Sequence, residues 1–303
     1  MNVNVLNLSE KEYALSGNRS CAGCGLSLAY RYILKALDGK AVATVTASCL
    51  TVLHGMYPLS SVDIPCINTP FASTAAAASG LVAGLRALGK KDMTVLAIAG
   101  DGGTSDIGIQ SLSGAAERQT DFIYICYDNE GYMNTGTQRS GSTPFGATTT
   151  TTPIRGKLQF PKDMPRIMED HNVPYVCTAS ASYPLDLYQK VRKAKGIQGT
   201  RYVHLYTPCP PGWNFPTAQT VKLGRLAVET GMVVLYEVEG GTFRLTGPSR
   251  KLAQGGKLKP VTDYLRLQGR FASLKETGVQ QIQEGVDRRW QQYLARDSGG
   301  GEE

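Results

Sequence analysis

Long apolar runs are absent from this sequence of 303 residues. No run reaches the roughly 18 residues that a membrane-spanning helix needs. The N-terminal stretch MNVNVLNLSEKEYALSG is too polar to be a signal peptide. These two absences predict a cytoplasmic protein without a membrane anchor.

Charged residues and histidines are also scarce. Charged side chains make up 19% of the chain against 42% hydrophobic residues, and there are three histidines, all far apart. This balance predicts a compact domain rather than a disordered chain, and the scattered histidines are expected to be structural. The net charge of +7 would suit an anionic partner. No helix-turn-helix or RNA-binding motif accompanies it, so nucleic-acid binding is not expected.

Apolar strands alternate with amphipathic helices through most of the chain. The predicted strands are 41–47, 93–100, 121–129, 174–180 and 201–209, and the predicted helices are 73–89, 107–119, 161–173 and 183–196. Fully apolar strands between helices predict an α/β fold with a mostly parallel, doubly wound sheet covered on both faces. In such sheets ligands bind at the carboxyl ends of the strands.

The regular pattern weakens after residue 237. We therefore predict a main domain over residues 1–237 and a C-terminal extension over 238–303. The extension should contain a short strand in GGTFRLTG, an amphipathic helix over 273–295 and a disordered tail, SGGGEE. The polar loop 141–153 is long enough to be functional or mobile, and its threonines could order over a site or lie at a subunit contact.

The segment LAIAGDGGTSDIG suggests a phosphate site. An apolar strand runs into Gly100, Asp101, Gly102 and Gly103, and a helix follows. The glycines let the backbone approach a phosphate closely, and a helix N-terminus supplies N–H donors. Asp101 would repel a bare phosphate, so it indicates a divalent cation between the two.

The next predicted strand ends at Asn129, 28 residues after Asp101. One helix and one strand fill that distance, so both residues should emerge at the same edge of the sheet. Their side-chain oxygens, together with diphosphate oxygens, predict an octahedral Mg²⁺ site. In the alternative interpretation Asp101 only caps a helix, which leaves Asn129 without a role.

The stretch SGNRSCAGCGLSLAYRY holds Cys21 and Cys24 in a glycine-rich turn before a predicted helix. A CxxC pair can be a redox dithiol, half of a zinc site or part of an iron–sulfur site. The chain has seven cysteines, and in a reducing compartment clustered ones indicate metal rather than disulfides. Cys66, Cys126 and Cys177 lie in apolar or strand contexts and are predicted to be core residues.

Three longer segments carry a family resemblance. GDGGTSDIGIQSLSGAAERQ, YDNEGYMNTGTQRSGSTPFGA and TPCPPGW resemble the β subunits of pyruvate:ferredoxin oxidoreductase (pyruvate synthase), in the thiamine diphosphate-binding 2-oxoacid:ferredoxin oxidoreductase family. The resemblance runs from about Cys21 to the GRF segment near residue 270. It implies the thiamine diphosphate-binding fold and the oxidative decarboxylation of a 2-oxoacid, most simply pyruvate, with coenzyme A as acyl acceptor.

The resemblance also implies roles for individual residues around the thiamine. Asp101 and Asn129 would give side-chain oxygens to Mg²⁺, and Gly131, where the family commonly has Ala or Val, a backbone carbonyl. Asn134 and Thr135 would lie beside the diphosphate and the reacting centre. We expect Asn134 to polarise an oxygen of the substrate.

One [4Fe–4S] cluster is implied as well, and it would carry electrons towards ferredoxin. Its ligands would be Cys21, Cys24, Cys49 and Cys209, of which the last two lie at the ends of predicted strands. A thioredoxin-like dithiol would leave Cys49 and Cys209 unexplained. A structural zinc site usually has two close CxxC pairs, which this chain lacks.

The resemblance implies partner subunits. Thiamine enzymes need a glutamate from a second domain, and this chain holds one α/β unit, so an α subunit should supply it. Further clusters would lie on a ferredoxin-like δ subunit, beside a γ subunit. Three alternatives remain: another 2-oxoacid such as oxalate or a branched-chain acid, a non-catalytic zinc or iron–sulfur scaffold or electron-transfer protein, and a nucleotide-binding protein. The last lacks both the P-loop and the GxGxxG motif.

Overall fold

The computed structural model describes residues 8–90 and 92–299. The strands are β1 (Ala41–Thr46), β2 (Cys66–Thr69), β3 (Thr94–Gly100), β4 (Phe122–Asp128), β5 (Tyr175–Ser180), β6 (Thr200–Tyr206), β7 (Tyr236–Glu239) and β8 (Thr242–Leu245). The α-helices are α1 (Gly25–Ala36), α2 (Cys49–His54), α3 (Thr74–Ala87), α4 (Ile109–Glu117), α5 (Met164–Asp170), α6 (Pro184–Lys195), α7 (Pro210–Trp213), α8 (Thr220–Glu229), α9 (Gly247–Ala253), α10 (Thr262–Leu265) and α11 (Glu276–Gly299).

All eight strands belong to one sheet, in the order β2-β1-β3-β4-β6-β5-β7-β8. The first six strands in this order pair in parallel, and β7 and β8 add an antiparallel hairpin at one edge. The predicted doubly wound, mostly parallel α/β fold is confirmed.

Both faces of the sheet are buried, which explains the continuous apolar runs of its central strands. In β4, Ile123 and Ile125 face a core that includes residues of α1 and α6. Phe122 and Tyr124 face the opposite core, which includes residues of α3, α4 and α5. Because successive side chains of a strand point to opposite faces, a strand buried on both sides must be apolar throughout.

The C-terminal part of the chain is built onto this sheet. β7 pairs with β5, so the predicted boundary at residue 237 falls inside a strand of the main sheet. The division into two domains stays a prediction. The predicted C-terminal helix is present as α11, which buries Ile282 and Val286 and continues to Gly299. The first two residues of the predicted tail are therefore helical, and residues 300–303 lie outside the described residues.

The helix predicted over 107–119 begins differently. A five-residue π-helical turn, Gly102–Asp106, precedes α4. The hydroxyls of Thr104 and Ser105 donate to the carbonyls of Gly100 and Asp101, each four residues earlier. These side-chain bonds occupy carbonyls that α-helical N–H groups would use, which favours the wider turn.

In the part of the chain that the structure describes, the helices are all too short or too polar to cross a membrane.

Candidate active site

Asp101 and Asn129 follow two neighbouring strands of the sheet. β3 and β4 pair in parallel, with Gly100 opposite Tyr127. Because parallel strands end at the same edge, Asp101 and Asn129 emerge side by side, as the sequence predicts.

Three polar groups converge at this edge. One polar atom of the Asn129 amide lies 3.0 Å from Oδ1 of Asp101 and 2.9 Å from the carbonyl oxygen of Gly131. As an NH₂ group this atom would donate to both oxygens. As the amide oxygen it completes a set of three oxygens, and adjacent ligands of an octahedral Mg²⁺ ion lie about 3 Å apart. The spacing therefore fits a Mg²⁺ ion.

The environment of Asp101 also fits a cation. Its side chain is fully buried, and its carboxylate accepts a hydrogen bond from the Ser140 hydroxyl. Burial, reinforced by the charge of Asp128, raises the pKa of Asp101 well above its ordinary value. A divalent cation would supply the missing counter-charge and allow the carboxylate to ionise.

The loop after Asn129 is held over this edge by Asp106. The Asp106 carboxylate accepts hydrogen bonds from the Tyr132 hydroxyl and from the backbone N–H of Gly141, both at 2.9 Å. The Tyr132 ring packs so closely on Gly102 that a Cβ there would lie 2.5 Å from it. Only glycine fits at position 102, and the tight packing keeps the loop in place.

The predicted thiamine-binding residues line a single cavity of about 50 Å³. They are Asp101, Gly102, Gly103, Asn129, Gly131, Asn134 and Thr135. The Asn134 side chain is exposed and has no hydrogen-bond partner among the described residues, so it is available to a ligand. The Thr135 hydroxyl donates to Gln138 Oε1 at 2.5 Å, within its own turn. The threonine run reaches the same turn, because Thr150 donates from Oγ1 to the Gly136 carbonyl at 2.9 Å.

The four predicted cluster ligands line a second cavity of about 80 Å³. Cys21 is exposed, whereas Cys24, Cys49 and Cys209 are half-buried. Burial raises the pKa of the Cys49 thiol to about 11 and that of Cys209 to about 12. These thiols stay protonated at neutral pH unless a metal binds them as thiolates. Of the predicted core cysteines, Cys126 and Cys177 are buried and Cys66 is half-buried.

The glycines around Cys24 explain how the CxxC turn reaches Cys209. Gly23 has a positive φ of 71°, and a Cβ there would lie 2.3 Å from the Thr217 carbonyl oxygen. The N–H of Gly25 donates to the Pro208 carbonyl at 3.2 Å. The Thr220 hydroxyl donates to the Gly23 carbonyl at 2.6 Å. The glycine-rich turn therefore packs directly against the segment that carries Cys209.

The four cysteines line one cavity together. Within residues 8–90 and 92–299, no three His, Cys, Asp or Glu side chains lie close enough together to hold one metal ion. A single zinc ion needs its ligands within about 2.3 Å.

The two cavities adjoin one another. Cys49, Asn129 and Asn134 line both of them. These three residues therefore form part of the wall of each cavity. A group bound at the cysteines would lie beside a group bound in the neighbouring cavity.

Sequence reasoning missed two residues that support both sites. Trp213 donates from Nε1 to the Asn129 carbonyl at 2.7 Å. The Arg270 guanidinium lies 3.9 Å from the centre of the Trp213 ring and donates to Glu130 Oε2 at 2.5 Å. Trp213 belongs to the TPCPPGW segment and Arg270 to the GRF segment. No local pattern indicates that residues so distant in sequence meet.

Comparisons with known proteins identify the family of this chain. Residues 46–205 match the family of the thiamine pyrophosphate enzymes, C-terminal TPP binding domain. The chain is 51% identical over 288 residues to pyruvate synthase subunit PorB of Methanothermobacter marburgensis, covering 93% of this chain and 97% of that protein. It is 42% identical to ketoisovalerate oxidoreductase subunit VorB of Pyrococcus horikoshii, covering 94% of each.

A solved 2-oxoglutarate:ferredoxin oxidoreductase from Magnetococcus marinus shares the fold. It superposes with a TM-score of 0.58 at 21% identity, over 72% of this chain and 82% of that one.

The fold, the site and the family match define an enzyme chain that binds thiamine diphosphate. The identities to PorB and VorB subunits are more specific. The chain belongs to the thiamine diphosphate-dependent 2-oxoacid:ferredoxin oxidoreductases, as the β subunit of a multi-subunit complex.

Proposed function

We propose that the complex containing this chain oxidatively decarboxylates pyruvate with coenzyme A to acetyl-CoA and CO₂, and that the electrons pass singly to ferredoxin. The observation that carries the proposal is the shared wall of Cys49, Asn129 and Asn134 between the two cavities. Pyruvate is favoured because the pyruvate synthase subunits are up to 51% identical, above the 42% of the ketoisovalerate subunits.

In the proposed thiamine site, Asp101, Asn129 and the Gly131 carbonyl hold Mg²⁺, and the backbones of Gly102 and Gly103 approach the diphosphate. Thiamine diphosphate, when bound, supplies the electron sink that decarboxylation of a 2-oxoacid requires. The residues of this chain position the reactants and stabilise the charge that develops during the reaction. The free amide of Asn134 donates a hydrogen bond to an oxygen of the substrate, and Thr135 holds its turn through Gln138.

In the proposed cluster site, Cys21, Cys24, Cys49 and Cys209 bind one [4Fe–4S] cluster. Such a cluster, when bound, accepts electrons one at a time. The half-burial of three of the four cysteines limits solvent access to it. The exposed Cys21 marks the side from which an electron acceptor would approach.

The proposed partners complete the catalytic site. An α subunit supplies the glutamate that activates thiamine, because Glu130, which follows Asn129, is buried and paired with Arg270. A γ subunit and a ferredoxin-like δ subunit complete a cytoplasmic complex that passes electrons to ferredoxin and binds neither nucleic acid nor a membrane.

The cluster ligands can be tested by four Cys→Ser variants at positions 21, 24, 49 and 209, with Cys66→Ser as the matched control. We expect each ligand variant, in complexes purified without oxygen, to lose iron, sulfide and pyruvate-dependent ferredoxin reduction. The control should keep all three. Wild-type complex that contains zinc but no iron at these cysteines would refute the electron path.

The role of Asn134 has its own test. Asn134→Ala should retain thiamine diphosphate but lower kcat by roughly 10²-fold, as expected when a donor to a developing charge is removed. Full turnover with thiamine bound would refute the role.

A branched-chain 2-oxoacid is the second candidate substrate, because the VorB subunits are 42% identical over 94% of the chain. The ratio of kcat/KM for pyruvate and 2-ketoisovalerate decides between them. A ratio below one would reject pyruvate and leave the thiamine chemistry unchanged.

A further inference from the structure

A third cavity opens on the other side of the β4 terminus. It has a volume of about 360 Å³, which is in the range of small-molecule sites. The carboxyl ends of β4, β5 and β6 form its floor, and α11 covers it with one face, through Gly285, Arg288, Arg289, Gln292 and Tyr293. We call this space the α11 cavity.

Most of the polar groups without partners in the α11 cavity are hydrogen-bond donors or can act as donors. Among the described residues, no ion pair or hydrogen bond engages Arg288 or Arg289, the Gln292 amide, or the hydroxyls of Tyr236 and Tyr293. The Ser142 hydroxyl also has no partner, although its side chain is 96% buried. An unpaired buried hydroxyl costs free energy, so Ser142 points to a ligand that supplies an acceptor.

The acidic groups that face the cavity are already engaged. Asp128 accepts from His204 Nε2 at 2.9 Å and from the Glu130 N–H at 2.8 Å. Glu130 is paired with Arg270. Asp163 caps α5 by accepting from the Arg166 N–H at 3.2 Å. Asp163 keeps its negative charge, since only a backbone N–H engages it. The two guanidinium groups of Arg288 and Arg289 outweigh it, so the unpaired charge of the cavity is net positive.

The remaining walls are apolar and partly aromatic. They consist of Phe160, Pro161, Met232, Val233 and Val234, with the rings of Tyr236 and Tyr293 lying 5.3 Å apart. Such walls suit a planar body, whereas two guanidinium groups and several neutral donors suit a phosphate group, which offers many acceptor oxygens.

We propose that the α11 cavity is a binding site for an organic phosphate about the size of a nucleoside monophosphate. The phosphate lies on Arg288 and Arg289, and the planar body packs against Tyr236 and Tyr293. This site does not depend on the proposed substrate. It shares no lining residue with the thiamine or cysteine cavities.

The probe for this site is AMP, titrated calorimetrically into the purified complex. Arg288→Gln with Arg289→Gln removes both charges from exposed helix positions without loss of helix propensity. We expect AMP binding to weaken at least tenfold in this double variant, since charge-assisted hydrogen bonds are lost. The matched control, Arg244→Gln with Arg250→Gln, removes two exposed arginines outside the cavity and should bind AMP like the wild type.

Two further ligands complete the test. Adenosine, which lacks the phosphate, should bind far more weakly than AMP. Coenzyme A also contains an adenosine with phosphate groups. If coenzyme A displaces AMP, the site binds the nucleotide part of this acyl acceptor. If it does not displace AMP, the site binds a free nucleotide. Failure of the wild-type complex to bind AMP at millimolar concentration, or equal binding by wild type and the Arg288/Arg289 variant, would overturn the proposal.

Discussion

The indole of Trp213 donates a hydrogen bond to the backbone carbonyl of Asn129 at 2.7 Å. Trp213 also bonds to Cys209, because its own N–H donates to the Cys209 carbonyl at 2.9 Å. Trp213 thus contacts the strand end of the proposed Mg²⁺ site through its indole, and the segment that carries a proposed cluster ligand through its backbone. The Arg270 guanidinium lies over the indole ring and keeps it in place.

This link predicts the effect of Trp213→Phe. The phenyl ring can still pack under Arg270, but the donor to Asn129 is lost. We expect thiamine diphosphate with Mg²⁺ to bind about tenfold more weakly, which corresponds to one buried hydrogen bond. Equilibrium titration of the thiamine-free complex measures this, and iron content should stay at the wild-type level.

Trp290→Phe is the control, since Trp290 is the second of the two tryptophans. It packs against the core that contains Phe122 and Tyr124. It should not alter thiamine affinity. An equal loss in both variants would show that the effect of Trp213 is general destabilisation.

Asp101→Asn separates stability from binding. The metal-free chain at neutral pH buries Asp101 without a counter-charge, and an amide of the same shape avoids that cost. Without Mg²⁺, we expect the free energy of unfolding of the variant to be about 1–3 kcal/mol higher than that of the wild type. It should lose Mg²⁺-dependent thiamine binding. Thermal unfolding with and without Mg²⁺ and thiamine diphosphate tests both parts, and wild-type protection by these ligands in the variant would contradict the Mg²⁺ assignment.

Gly23→Ala should disrupt the cysteine site. A Cβ at Gly23 would lie 2.3 Å from a backbone oxygen, and φ is +71°. The turn must then move away from the segment of Cys209, and we expect most of the iron to be lost. Gly17→Ala is the matched control, because Gly17 has a φ of +82° but no atom within 4 Å of its Cβ position. Iron analysis of both variants separates backbone strain from the contact itself, and equal iron in both would reject the packing role.

His54 predicts a pH dependence of stability. Its ring is 2% exposed, both ring nitrogens lack a partner, and burial lowers its pKa to about 4. Between this value and the ordinary 6.5 the unfolded chain binds more protons than the folded chain, so stability falls as the pH is lowered through that range. The full effect corresponds to roughly 3 kcal/mol.

His54→Leu should remove this contribution. Thermal midpoints of wild type and variant, measured between pH 7 and pH 4, should diverge, with the steeper decline in the wild type. Parallel declines would show that His54 does not titrate on unfolding.

The strongest sequence patterns predicted the fold well. The runs that became β1, β3, β4 and β5 are largely apolar on both faces. Each predicted end of these strands lies within one residue of the observed end. β2 was not predicted, because this edge strand leaves Ile67 exposed and shows no continuous apolar pattern. β7 lies in the antiparallel edge hairpin, where alternating glutamates conceal the strand.

The site was predictable as far as chain topology determines it. Asp101 and Asn129 meet because neighbouring parallel strands end together. The contact between Trp213 and Asn129 spans 84 residues, and the Arg270 pair with Glu130 spans 140. Such contacts depend on how the C-terminal helices pack, and the α11 cavity is formed by seven separate segments, so no local pattern indicates either.

The end of β4 has a consequence for how this sequence can change. Asn129 and Gly131 line the thiamine cavity, whereas Asp128 and Glu130 line the α11 cavity. Alternate residues of one short segment thus line different cavities. A one-residue insertion or deletion here would displace residues of both sets from their cavities. Substitutions can change the lining of either cavity separately, but both cavities constrain the length of this segment.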